Sequence, residues 1–375
     1  MSSPVTPASP TAHHGEVVYL FAFDVAYDMR RSAIETLLGQ RLELFHVDAR
    51  KRGRRGQTFY RPLTARLPEL RRTVAGQPLV LQATIKVLPI GALSVMVRAP
   101  FAAASFAEMH RWHDLAFDEG GTLVQWVVDT VEKARAELAI HAVRPHERLP
   151  EGESYTVFCI DAASPGIGAS TSAWLEANRP AVAALLTKEP DSAALSDQEI
   201  AESTDCWLSY YKHDLVVSDW EASVVIDRPP DFDETLYIME LANMQLEELE
   251  ANDTYIDEAL DRAYRDLSRP RSPRRKGILR EVKTLRIDLA RFSEELSNIT
   301  KFFGEWHLAR VYGNTARLFH LGDWHRAIDE KLKTLDSLYE MLKQDQDQRL
   351  MVWLEASIIL LFIIDLVTIF MGVSK

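Results

Sequence analysis

Cysteine is nearly absent from this chain: 375 residues hold two, Cys159 and Cys206, each inside an apolar run that reads as a strand. That scarcity argues against a disulfide framework and for a reducing compartment. Positive charge is also in short supply. The net charge of −12 argues against general nucleic-acid binding. Residues 1–76 run the other way, with 12 Lys/Arg against 7 Asp/Glu, or +5, which leaves −17 for the remainder. Catalytic signatures are missing as well. There is no HExxH, no Walker lysine and no complete GxGxxG, and no Ser/His/Asp or Cys/His constellation stands out. Residues 1–15 are rich in Ser, Pro, Thr and Ala without the charged start and apolar core of a signal peptide, so they read as a disordered tail.

What the chain does have is one long apolar run. Ala356 to Val373 reads ASIILLFIIDLVTIFMGV, with Asp365 its only charge. A helix of 18 residues rises about 27 Å, close to the thickness of a hydrocarbon core. Trp353 falls where an interfacial aromatic belongs, with Arg349 on the near side and Lys375 on the far side. Residues 351–375 are therefore expected to be a transmembrane anchor. Since nothing near the N-terminus marks export, the body before it is expected to be cytoplasmic, the tail-anchored arrangement. Asp365 within the span, with Thr368 one turn on, points to self-association or a membrane partner, because an ionisable group in hydrocarbon costs a few kcal/mol unless it is paired or protonated.

Residues 231–350 read as a helical stalk. From Asp233 to Leu267 there is no Pro or Gly, and Ala242, Leu246, Leu249, Ile256, Leu260, Ala263 and Leu267 fall at alternating three- and four-residue steps, a coiled-coil seam. SRPRSPRRKG, Ser268 to Gly277, ends that helix in a turn. A second seam at Val282, Leu285, Leu289, Phe292, Leu296, Ile299 and Phe303 predicts an antiparallel hairpin, followed by helices over 305–319 and from about 323 into the anchor. The echoes GEWH, Gly304 to His307, and GDWH, Gly322 to His325, read as helix starts and not as metal sites.

Residues 16–230 read as an α+β head. Strands are expected at Val17–Phe23, Leu79–Val87, Ala92–Arg98 and Tyr155–Ile160, with a turn at Pro89 and Gly91 and helices over 30–38, 101–117 and 122–142. That order resembles a ferredoxin-like sandwich, one sheet with helices on one face. A helix at Thr171–Leu186 and three short strands at 206–210, 214–217 and 222–226 close the head.

Three candidate sites follow. SPGIGAST, Ser164 to Thr171, with Gly166, Gly168, Ser170 and Thr171, is a weak candidate for presenting backbone N–H groups to a phosphate at a helix start. RKRGRRGQTFYR, with Arg50, Lys51, Arg52, Arg54, Arg55 and Arg61 interleaved with Phe59 and Tyr60, suits anionic lipid headgroups or RNA. Asp365 and Thr368 are the candidates for helix association. His110 and His113, three apart beside Asp114, lack a third ligand and read as hydrogen-bonding residues. No catalytic residue, metal or cofactor is expected.

The overall plan resembles the Required-for-Meiotic-nuclear-Division family, on ELANMQLEELEAN at Glu240–Asn252, KFFGEWH at Lys301–His307, and Leu335–Phe370, where RLMVWLE precedes an apolar helix containing an acid. The resemblance implies an α/β head, a helical C-terminal half, one hydrophobic segment, and a non-enzymatic role tied to mitochondrial translation. The function expected is a membrane-anchored scaffold or tether, self-associating or joined to a membrane partner. The alternatives are an RNA- or ribosome-associated tether working through the basic loops and a nucleotide-sensing enzyme using the 164–171 loop.

Overall fold

The computed structural model describes residues 13–30, 34–45, 62–146, 149, 151–168, 170–267, 287 and 306–372. They divide into two compact units, residues 1–251 with 292–324, and residues 252–291 with 325–375.

The first unit is built on β1, His13–Asp24, whose VVYLFAF core is apolar on both faces. Such a run suits a central strand covered on both sides and not one with a wet face. It pairs antiparallel with β9, Ala92–Ala103, on one side and β11, Glu153–Asp161, on the other. On the β9 side the sheet continues through β8, Gln77–Val87, β6, Leu63–Arg66, and β5, Glu43–Leu44, with β7, Leu70–Val74, also pairing β8. Beyond β11 lie β14, Ala222–Asp227, which is parallel to it, then β13, Leu215–Ser218, and β12, Trp207–Leu208. Small strands complete the set: β2, Ala26–Met29, pairs β10, Ala142–Pro145, and β3, Thr36–Leu37, pairs β4, Gln40–Arg41.

The β8–β9 hairpin turns at Gly91, where φ is +92° and an added Cβ would sit 1.5 Å from the Ala26 carbonyl oxygen. The Gly91 carbonyl accepts the N–H groups of both Val25 and Ala26 at 3.1 Å. Only glycine permits that approach.

Helices cover both faces, which corrects the expectation of one. Val17, Tyr19, Phe21 and Phe23 pack with α2, Leu123–Leu138, and α3, Thr171–Leu186. The start of α2 is fixed by a capping box, in which Thr122 Oγ1 accepts from the Gln125 N–H and the Gln125 side chain accepts from the Thr122 N–H. Val18 and Leu20 face the other way. That side is covered by the first turns of α5, Phe232–Leu267, and by α6, Trp306–Leu318, whose neighbour Phe319 meets Tyr155 edge-on at 5.1 Å.

Two further expectations change. Residues 36–37 are a strand and not the end of a helix. The helix expected over 101–117 is instead the end of β9 followed by a short helix, α1, Phe106–Met109, and a 3-10 turn at His110–Trp112. Ala102 and Ala103 are held extended by pairing with His14 and His13, so sheet register overrides alanine's helical preference. A fourth helix, α4, Asp197–Ser203, follows α3.

In the second unit, the far half of α5 packs Ala259 and Ala263 on Leu335 of α7, Leu321–Gly372. Lys331 bridges Asp253 and Asp257 at 2.7–2.8 Å. The pairings advance together along both helices, so α5 and α7 run in the same direction here. The turn Ser268–Gly277 and every residue of the second seam, Val282 to Phe303, lie outside the described residues.

Candidate functional site

Within α7, Met351–Phe370 is a 20-residue stretch that is wholly unburied, and among the described residues it is the one helix long and apolar enough to cross a membrane. Trp353, Phe362 and Phe370 are each more than 70% exposed. The hydroxyls are satisfied within the helix, with Ser357 donating to the Leu354 carbonyl at 2.7 Å and Thr368 to the Asp365 carbonyl at 2.8 Å. The Asp365 carboxylate has no partner among the described residues. Thr368 therefore serves the backbone of its own helix and not the Asp365 carboxylate.

The second concentration of chemistry is on α5. Sixteen consecutive residues, Glu234 to Leu249, are buried although they include Glu240, Asn243, Gln245, Glu247 and Glu248. Isolated charges at such positions are prohibitive, so each must meet a donor. Asp233, Glu240 and Glu247 recur every seven residues and lie on one face. Asp233 pairs with Arg98, which also binds Glu16 at 3.0 Å. Glu240 pairs with Lys86 and accepts from Ser94 Oγ at 2.5 Å, with Lys86 and Glu240 only 3% and 2% exposed. Burial draws Lys86 below the usual lysine range against the pull of Glu240.

Glu247 accepts the backbone N–H groups of Asp24, at 3.1 Å, and Glu153, at 3.0 Å. Burial pushes its carboxyl up to about 8. Burial and the neighbouring Glu250 likewise raise Glu153 to about 7. His146 Nε2 lies 2.9 Å from Asp24, which burial also raises. This network ties the ends of β1 and β11 to the helix. The sequence marks Lys86 and Arg98 as charges in otherwise apolar strands, but not the carboxylates they face.

Beside this network a groove of about 940 Å³ opens over the outer strands β8, β6 and β5, floored by Lys86 and Thr84 and walled by Arg98, Arg66, Phe45 and Tyr237. Phe45 stacks on Tyr237 with centroids 5.4 Å apart, and Lys86 Nζ lies 3.8 Å from the Phe45 ring centre.

The 164–171 loop turns on Gly166 and Gly168, both at positive φ. Several of its donors are engaged by the chain itself. Thr171 N–H donates to the Lys212 carbonyl at 2.9 Å and its hydroxyl to the Asp214 carbonyl at 2.7 Å, while Ser170 Oγ caps α3 by accepting from Ala173. Ser164 Oγ accepts from His14 at 3.1 Å and so ties the loop to β1. His113 Nε2 donates to the Leu185 carbonyl at 2.7 Å, and burial lowers its pKa to about 4, so it is neutral and structural. His110 is 5.9 Å from it, ring to ring, and no metal cluster forms among the described residues. Arg50 to Arg61 lies outside the described residues.

These features define a mixed α+β protein with a broad sheet, C-terminal helices and one helix fit to span a bilayer. The family described as "Uncharacterized protein MJ0711, N-terminal domain" matches residues 14–233, more than half of the chain, and the chain belongs to it. It is similar to "Uncharacterized protein MJ0711" of Methanocaldococcus jannaschii, 21% identical over 216 residues that make up 57% of this chain and 65% of the relative. The chain thus spans just under two thirds of that relative's length. No solved structure matches. The family match covers the sheet and the helices on the α2 and α3 face, and stops at the start of α5. The stretches that resemble the Required-for-Meiotic-nuclear-Division family, from Glu240 onward, lie beyond it.

Proposed function

We propose that this protein is a single-pass membrane protein whose last helix holds the α+β head at the cytoplasmic face, where the head acts as a non-enzymatic scaffold or tether. The observation that carries the reading is the bare apolar surface of Met351–Phe370. Fifteen large apolar side chains stand exposed along it. At about 1.5–3 kcal/mol for each such side chain taken from water, leaving them solvated costs on the order of tens of kcal/mol. Orientation follows from charge. Four Lys/Arg, Lys331, Lys333, Lys343 and Arg349, fall in the twenty residues before the span, which favours that side as the cytoplasmic one. Asp365 gives the span a reason to pair, either with a second copy or with another membrane helix.

The β11–β1–β9–β8 order, with neighbours antiparallel and α2 crossing from β9 to β11, supports a ferredoxin-like centre extended by strands at both edges. The α5–α7 contact supports a coiled-coil stalk. The test is membrane fractionation of the full chain beside one truncated after Gln348. The full chain resists carbonate extraction, the truncated chain is soluble, and protease on the cytoplasmic side digests the head. A truncated chain that stays with the membrane overturns the anchor.

A further inference from the structure

The open groove over β8, β6 and β5 is polar where the rest of that sheet face is apolar. Pairing places Arg66 opposite Thr84 and Thr64 opposite Lys86, so these side chains share the α5-facing side of the sheet with Arg98. Most charges around the groove are matched. Lys86 has Glu240, Arg98 has Glu16 and Asp233, and the lining carboxylate Glu69 has Arg71. Arg41 and Arg66 line the groove and have no carboxylate partner among the described residues, and Glu43 is the lining acid left without a cation. Thr64 Oγ1 is shielded from solvent with no hydrogen-bond partner. A buried hydroxyl without a partner in the wall of a cavity is a place where a ligand atom is expected.

We propose that this groove binds a small phosphate-bearing molecule, its phosphate held between the guanidinium groups of Arg41 and Arg66. Guanidinium forks match phosphate oxygens two at a time, and a groove of about 940 Å³ has the capacity of a site for a small ligand. Thr64 supplies a hydroxyl to the same ligand, and Glu43 accepts from a hydroxyl group on it. The phosphate source is either a soluble metabolite or a lipid headgroup, two carriers of the same chemistry.

The experiment is calorimetric titration of the detergent-solubilised full chain with inorganic pyrophosphate, which reads binding whether or not the anchor reading holds. Saturable binding is expected, weakened at least about tenfold in Arg41→Ala/Arg66→Ala, largely kept in Arg41→Lys/Arg66→Lys, and unchanged in Arg310→Ala. Both groove arginines are exposed, so their replacement spares the fold. Absence of saturable binding overturns the proposal, and so does equal binding by the double alanine variant. Repeating the titration in micelles doped with a phosphoinositide then fixes the source. Lost pyrophosphate binding assigns the headgroup, retained binding assigns a soluble phosphate, and each supports the site.

Discussion

Replacing Lys86 by Met leaves Glu240 buried with Ser94 as its hydrogen-bond donor. The chain length is nearly conserved and the strand is undisturbed, so the loss reads the ion pair and not a cavity. Breaking a buried pair from one side costs about 3–5 kcal/mol, since the surviving charge keeps its desolvation penalty and loses its counter-ion. In a unit of this size each kcal/mol lowers the melting temperature by about 2–4 °C, which predicts a drop of about 6–20 °C. Lys86→Met/Glu240→Leu removes both charges together, and replacing a buried pair by apolar groups of similar volume is near neutral. It should therefore recover most of the loss. Differential scanning fluorimetry of the detergent-solubilised full chain, run as a double-mutant cycle, measures the coupling directly. If the double variant is no more stable than the sum of the two single losses, the pair is not coupled and the reasoning fails. A fall of under about 2 °C in the single variant would refute it equally, as the residues would then be hydrated.

Glu247 gives the head a pH dependence whose sign is fixed by its raised pKa. Folded, it keeps its proton up to about 8, whereas unfolded it loses it near the ordinary carboxyl value of 4.5. Between those values the folded state binds more protons, so stability falls as pH rises through that window, by up to about 5 kcal/mol shared with Glu153 and Asp24. Melting curves from pH 5 to 9 should show the decline, and Glu247→Gln should flatten it; an unchanged slope in the variant would count against the assignment. Gly91→Ala forces a Cβ onto the Ala26 carbonyl as well as a positive φ, so it should cost more than about 3 kcal/mol. Gly39→Ala, with φ +73° and nothing within 4 Å, should cost about 1 kcal/mol. Equal melting temperatures for the two would contradict the close approach.

Much of the sheet was legible because its strands announce themselves. Val17–Phe23 is apolar at every position, the Leu79–Arg98 hairpin carries its Pro-and-Gly turn, and Thr122 with Gln125 is a capping box in plain view. Other parts were hidden by competition between local and distant preferences. Thr36–Leu37 pairs across a tight turn at Leu38 and Gly39, too short a strand to show a period. The alanines at 102–104 favour a helix in isolation, yet two of them are captured by β1. The α5 polar positions were the least readable. Periodicity marks Ala242, Leu246 and Leu249 as one seam and leaves Glu240, Asn243 and Glu247 as a solvated face. It does not reveal that a sheet bearing Lys86 and Arg98 waits opposite.

That hidden face accounts for how α5 is placed. Apolar side chains tolerate sliding, because a helix moved by one turn of about 5.4 Å still buries comparable area. The heptad carboxylates do not. Asp233 must find Arg98, Glu240 must find Lys86 and Ser94, and Glu247 must find the N–H groups of Asp24 and Glu153. Successive carboxylates are about 10.5 Å apart along the axis, so one slip breaks three contacts at once and leaves two buried acids, Glu240 and Glu247, without their partners. The polar contacts thus add little to net stability over an apolar packing of the same shape while excluding every neighbouring register. The groove over β8, β6 and β5 is lined by the same residues, Lys86 and Arg98. Locking α5 in register is therefore also what fixes the wall of that groove.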